Sequence, residues 1–352
     1  MDYHFDFYNY AGIHRPVTLY AVPADAAITD ITLTTDVTAD HKLARVKFEV
    51  LADVANEIDS PNLYCLLRLR DKTAKVVAEA KSCRGIMKVK SPHLWWPHLM
   101  SSDPGYLHDL EVAIVDSKRN ATLDQYTTKV GIRSLTWDNS TIRVNHADFY
   151  FKGFGKHEDA DIRGKGLDLP LVAKDFNLIN WIGANAFRTS HYPYAEEIMD
   201  FADANGIVVV DECPAVALDH FAGNDELVKN HKEALDRLVS RDKNRPSVFS
   251  WSVANEPRSN QESARPYFKV RRRTFPVKDP LYSIICLQEI IAHAKTLDPS
   301  RPITVVVNSY PHSDKAHIHA DIVGVNRYFG WYQDTGHTEL IARQMFNHLK
   351  VY

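Results

Sequence analysis

The residues whose types and spacing could do chemistry gather at the ends of apolar runs. Residues 247–254 are rich in β-branched and aromatic side chains, and the run ends abruptly in Asn255, Glu256 and Pro257. A strand buried on both faces has this near-continuous apolar character, and barrel enzymes place catalytic groups where such strands finish. The run therefore predicts a buried strand that delivers Glu256 into a cleft and is stopped by Pro257. An ordinary strand end whose glutamate reaches solvent would show the same three residues. Similar polar clusters close other apolar runs: His157, Glu158 and Asp159; Arg188 and His191; Asp211 and Glu212; Tyr328. Carboxyls in such places can transfer protons or attack an electrophilic carbon, while histidine and tyrosine either orient a ligand or pack structurally. Asp211-Glu212 has the look of a metal pair, but nothing else stands at ligand spacing, so no metal and no cofactor are expected.

The elements that must position these groups change character along the chain. Strand-like runs at residues 31–35, 45–50, 63–69 and 110–115 recur at short spacing, and residues 45–50 alternate as a strand does with one face buried. They predict a β-sandwich. From about residue 137, runs at 149–154, 186–189, 207–211, 248–253, 303–307 and 322–326 alternate with helical patterns at 171–182, 194–204 and 226–240. That order predicts a parallel α/β sheet with the succession of a (β/α)8 TIM barrel, through about six of its eight units. Residues 1–21 hold a β-like run at 17–22 and no core of their own. Trp95 and Trp96, between Leu94 and Pro97, read as a packing cluster rather than a sugar platform.

A chain of 352 residues can bury more than one core, and a net charge of −3 gives no reason to expect nucleic acid or an anionic membrane as partner. No apolar stretch approaches the roughly 18 residues needed to span a bilayer. Met1 is followed by acidic and alternating residues, unlike a secretion signal. Asn120-Ala-Thr122 and Asn139-Ser-Thr141 have the form of glycosylation acceptors, which matters only in a secreted or lysosomal protein. Cys65, Cys83, Cys213 and Cys286 lack metal spacing and are too few for a disulfide framework, so buried reduced thiols are expected.

Three segments together, Asn255-Glu-Pro257, the run from Gly155 through His157-Glu-Asp-Ala-Asp to Gly166, and the run from Asn185 through Arg188-Thr-Ser-His191 to Glu197, resemble the β-glucuronidases of glycoside hydrolase family 2. The resemblance extends from Phe7 through Leu94-Trp-Trp-Pro97 to Asn326-Arg-Tyr-Phe-Gly-Trp-Tyr332. It implies three parts: residues 1–21 as the tail of a missing jelly-roll sugar-binding domain, 22–136 as an immunoglobulin-like β-sandwich, and 137–352 as an incomplete TIM-barrel catalytic domain. The implied activity is retaining hydrolysis that releases β-D-glucuronic acid from glycosaminoglycan fragments or glucuronide conjugates, with a β-galactosidase, a β-mannosidase or a catalytically dead product as alternatives.

By motif match Glu256 is the acid/base. Asn255 matches the residue that contacts the sugar 2-hydroxyl; Arg188 matches a residue beside the nucleophile, within the substrate-binding set; His157 and His191 match sugar-contacting or pocket-forming positions; Tyr328 matches the tyrosine that bonds the nucleophile, and Tyr332 a second pocket residue. Family members are homotetrameric and lysosomal or secreted. The Glu-Tyr-Gly run that supplies the family's nucleophile does not occur in this sequence, so the chain by itself is expected to be inactive. Residues 270–288 begin with a valine, whose codons start with GT, and end with a glutamine, which CAG can encode; they are expected to be a translated intron.

Overall fold

The alternation of residues 45–50 is realised in β2 (Leu43–Val54), where Ala44, Val46, Phe48 and Val50 are buried while Arg45 and Lys47 are exposed. The computed structural model to which β2 belongs describes residues 10–55, 62–216, 225–257, 285–308, 317–332 and 334–350. It divides into two compact units, one of residues 1–188, 194–209 and 242–249, the other of residues 189–193, 210–241 and 250–352.

In the first unit β2 lies between β1 (Ala26–Val37) and β5 (Arg84–Lys90) in an antiparallel sheet. A second antiparallel sheet has the order β4-β3-β6-β7, from β3 (Leu63–Arg70), β4 (Val76–Lys81), β6 (His108–Asp116) and β7 (Ala121–Val130). Leu33, Val46 and Phe48 from the first sheet and Leu67, Leu69, Leu110 and Val112 from the second share one core, which makes the pair a β-sandwich. Residues 17–22 form no strand, contrary to the β-like pattern; all are exposed, and a strand needs a partner to satisfy its backbone groups.

The cysteine expectation is corrected at one pair. Cys65 and Cys83 form a disulfide, with Cα atoms 4.7 Å apart. Spacing in the sequence gave no sign of it, because proximity arises from register: Leu66 pairs with Lys81 at the end of the β3/β4 ladder, which brings Cys65, one residue past that pair, close to Cys83, two residues past it. Cys83 also accepts from Val50 N through its carbonyl, so the bridge sits where the chain passes from β4 in one sheet to β5 in the other. Cys213 is a free buried thiol, as expected.

Trp95 is fully buried with Val144, Phe149, Ala186, Val208 and Phe249, and its indole N–H donates to Asp203 O, in agreement with the packing reading. Val144 and Phe149 belong to a small antiparallel sheet of β8 (Leu135–Trp137), β9 (Ile142–Val144) and β10 (Ala147–Phe149). Beside Trp95 the chain runs bare against the end of a helix. Gly206, at φ 69°, ends the helix Glu196–Asn205, and a Cβ there would lie 2.6 Å from Trp96 O. A Cβ on Gly105 would lie 2.4 Å from Ala204 O, so at both positions the backbone approach excludes a side chain.

The predicted parallel sheet is present as six strands in chain order, the order of a TIM barrel: β11 (Gly153–Lys156), β12 (Ala186–Thr189), β13 (Val208–Glu212), β14 (Val248–Asn255), β15 (Ile303–Val307) and β16 (Ile322–Val325). Helices α1 (Leu169–Trp181), α2 (Glu196–Asn205), α3 (Asp225–Asp242) and α4 (Ile285–Leu297) lie between successive strands. Asp168 caps α1 by accepting from Leu171 N. All eight residues of β14 are buried, the state expected of a strand covered on both faces. Most of stretch 270–288 falls outside the described residues, and its last four are the first turn of α4. A last helix, α5 (Ile341–Leu349), follows a 3-10 turn at Thr338–Leu340.

Candidate active site

The second unit builds a site on the C-terminal ends of β14, β15 and β16. Ladder pairing sets Asn255 beside Val306, and the Glu256 amide donates to Val306 O at 2.7 Å. The ladder therefore carries one residue past the strand, and there Glu256 turns to φ 49°. A left-handed glutamate is costly, and such outliers persist where the surroundings fix them. Here they do. Asn308, just beyond β15, donates to Glu256 Oε2 at 2.7 Å; Asn326, just beyond β16, donates to Oε1 at 2.7 Å; Tyr328 Oη donates to Oε1 at 2.8 Å. Both carboxyl oxygens are thus held, and the residue is buried, at 7% exposure.

Asn255 is buried, and its Oδ1 accepts from the same Asn326 amide at 3.0 Å. Tyr332 stands over Tyr328 with ring centroids 4.9 Å apart, and both rings are exposed. An exposed aromatic pair beside a held carboxyl is suited to the apolar face of a sugar ring.

His191 belongs to the same unit. Its Nδ1 lies 2.6 Å from Oε1 of Glu212, a fully buried carboxylate at the end of β13, and Ser252 Oγ on β14 donates to the other oxygen at 2.6 Å. Thr189 Oγ1 accepts from Glu212 N and donates to Asp211 Oδ1. Asp211 and Glu212 thus bond to hydroxyls and an imidazole, and no cluster of metal-binding side chains occurs among the described residues. Beneath them Cys213 Sγ lies 3.2 Å from His231 Nε2 and donates to Val253 O. Burial, with the Glu212 and Asp211 charges, pushes that thiol well above its ordinary range, which leaves it an inert packing group.

The other predicted residues belong to the first unit. His157 is half-buried immediately after β11, and its carbonyl accepts from Lys156 Nζ at 2.9 Å. Arg188 is half-buried on β12. Glu158 is held by Arg15 at 2.6 Å and by Ala195 N.

Sequence reasoning missed Asn308, placed Glu212 in a strand-end polar cluster without a role, and quoted Asn326 only as part of a motif. The rule that found Glu256 also reaches them, since each stands at or one residue past the end of a parallel strand.

Strand-end carboxyls thus stand on a six-stranded parallel sheet in the strand order of a TIM barrel, in a chain that also carries a β-sandwich. The family description "Glycosyl hydrolases family 2, TIM barrel domain" matches residues 136–351, and "Glycosyl hydrolases family 2" matches residues 26–133. The chain belongs to glycosyl hydrolase family 2. It is 46% identical over 346 residues to the Homo sapiens beta-glucuronidase, an alignment covering 97% of this chain and 49% of that protein. Among solved structures it resembles the Dictyoglomus thermophilum beta-D-glucuronidase, with TM-score 0.83 and 38% identity, over 99% of this chain and 56% of that one. A Ruminococcus gnavus β-glucuronidase in complex with D-glucuronic acid matches at TM-score 0.78 and 33% identity, over 94% and 51%. The chain spans about half the length of the known relatives it matches.

Proposed function

We propose that the chain supplies the acid/base half of a retaining β-glucuronidase site, with Glu256 as the group that moves the proton. The observation that carries this reading is the set of donors from Asn308, Asn326 and Tyr328, which holds the Glu256 carboxyl in one orientation at the strand ends. In such a reaction the acid protonates the glycosidic oxygen as the bond from C1 breaks, while a second carboxylate forms a bond to C1. The deprotonated Glu256 then takes a proton from the water that displaces that carboxylate.

Asn255 is assigned to the sugar 2-hydroxyl, His157 and His191 to sugar-contacting or pocket-forming positions, Tyr332 to the pocket, and Arg188 to the nucleophile side. Tyr328 is assigned to the second carboxylate, the nucleophile, although in this structure its hydroxyl donates to Glu256. The substrate class is a glucuronide or glycosaminoglycan fragment, in line with the beta-glucuronidase name and bound D-glucuronic acid of the relatives. Homotetrameric assembly and a lysosomal or secreted location belong to the same reading. The sequence contains no Glu-Tyr-Gly run, so these 352 residues alone are not expected to turn over substrate.

The test is a chimera in which this chain replaces the matching half of the human relative. Turnover of a fluorogenic glucuronide, lost by about 10²–10⁴ in Glu256→Gln for poor leaving groups, supports the reading. Preference for a galactoside or mannoside assigns another activity of the family, and a folded chimera that hydrolyses none of them defines a dead product.

A further inference from the structure

We propose that Asn120 and Asn139 are attachment sites for N-linked glycans, an inference independent of the hydrolase reading. Asn120-Ala121-Thr122 and Asn139-Ser140-Thr141 are acceptor triplets without an intervening proline. The first falls on the turn between β6 and β7, where residues 117–120 are all exposed; the second falls on the turn between β8 and β9, where 138–140 are all exposed. A glycan is bulky and hydrated, so a finished fold accepts one only where the asparagine projects into solvent.

Turn chemistry accounts for one of these asparagines and not the other. Asn120 has φ 51°, a left-handed conformation that asparagine tolerates better than most residues. Asn139 has no positive φ, and its turn is tied by its neighbour: Asp138 Oδ1 accepts from Ser140 N and Thr141 N, each at 2.9 Å. Neither the Asn120 nor the Asn139 side chain makes a hydrogen bond among the described residues. Asn145, Asn185 and Asn244, by contrast, use their amides to tie distant backbone. The amides of Asn120 and Asn139 are therefore available, at exposed positions.

A separate observation agrees with a location where glycans are attached. The Cys65–Cys83 bridge requires an oxidising space, and the endoplasmic reticulum lumen is both oxidising and the place where glycans are transferred to asparagine. In the transfer, Asn Nδ2 displaces a lipid-linked pyrophosphate from the anomeric carbon of the donor glycan. The C1–O bond breaks, a C1–N bond forms, and one proton leaves the amide.

The experiment expresses the full chain behind a cleavable reticulum leader in insect cells. Leader removal, read from the N-terminal sequence, shows entry into the lumen; transfer precedes secretion, so intracellular chain serves equally well. Peptide mapping after treatment with a glycan-releasing amidase, which converts each occupied asparagine to aspartate, is expected to show conversion at both positions. Thr122→Ala should abolish conversion at Asn120 alone, and Thr141→Ala at Asn139 alone. Chain that has lost its leader and still carries unmodified asparagine at either position overturns the assignment there.

Discussion

Asn326 and Glu256 are joined by a 2.7 Å hydrogen bond from Nδ2 to Oε1, although the strands that carry them, β16 and β14, are separated in the sheet by β15. The bond spans the sheet on its C-terminal rim and reports whether that rim is assembled. Asn326→Ala removes the donor shared by Glu256 and Asn255 and is expected to cost about 1–2 kcal/mol. Its effect should couple to Glu256→Gln by at least about 0.5 kcal/mol in a double-mutant cycle read by urea unfolding. Strict additivity would place the two side chains apart.

Glu212 is the most deeply held carboxylate of the site, with no exposed surface and with His191 and Ser252 on its two oxygens. Glu212→Ala leaves both partners facing a buried void, and the expected loss is about 3 kcal/mol, in the range seen when one member of a buried pair is removed. Glu212→Gln keeps the shape and one acceptor, and should cost less. Equal denaturation midpoints for the two variants would contradict the geometry.

The Cys65–Cys83 bridge closes a loop of 18 residues between the sheets of the sandwich. Cys83→Ala is expected to lower stability by about 2–4 kcal/mol, and a reducing agent should lower the parent protein to the same level while leaving the variant unchanged. Identical thermal midpoints with and without reductant would refute the bridge.

Most of the parallel sheet was readable because burial on both faces writes long apolar runs: residues 186–189 and 303–307 were placed at the limits of β12 and β15. The carboxyl at the end of β14 was readable for the same reason, since a charge after eight buried residues stands out. Of the groups that hold Glu256, Tyr328 was readable and the two amides were not. Asn308 is an unremarkable amide in sequence and Asn326 only the first residue of a longer motif, and the closeness of β14, β15 and β16 turns both toward Glu256. The disulfide was hidden likewise, because two cysteines 18 residues apart meet only once β3 and β4 are in register. At residues 17–22 the pattern misled: a β-like run describes a strand's side chains and supplies no neighbour for its backbone.

Acid should loosen the fold through two buried histidines. Burial lowers His231, and His108 as well, from 6.5 to about 4. Each binds a proton more readily when unfolded, so its contribution is complete above pH 6.5 and is lost as the pH falls toward 4. For His231, almost wholly buried, the loss over that interval is about 3 kcal/mol. Thermal midpoints measured across this range should fall with pH, and His231→Gln should flatten the decline.

Gly105 and Gly206 meet where neither leaves room for a methyl group, with Gly105 N donating to Trp96 O at 3.0 Å and His98 N to Gly206 O at 2.7 Å. Main chain touches main chain there, so the fit has no rotamers through which to adjust. Side-chain interfaces can drift by compensating exchanges, large for small across the contact. This one cannot, and a loop transplanted between residues 96 and 106 from another protein would seat only if it brought its own glycine to position 105 and met one at 206.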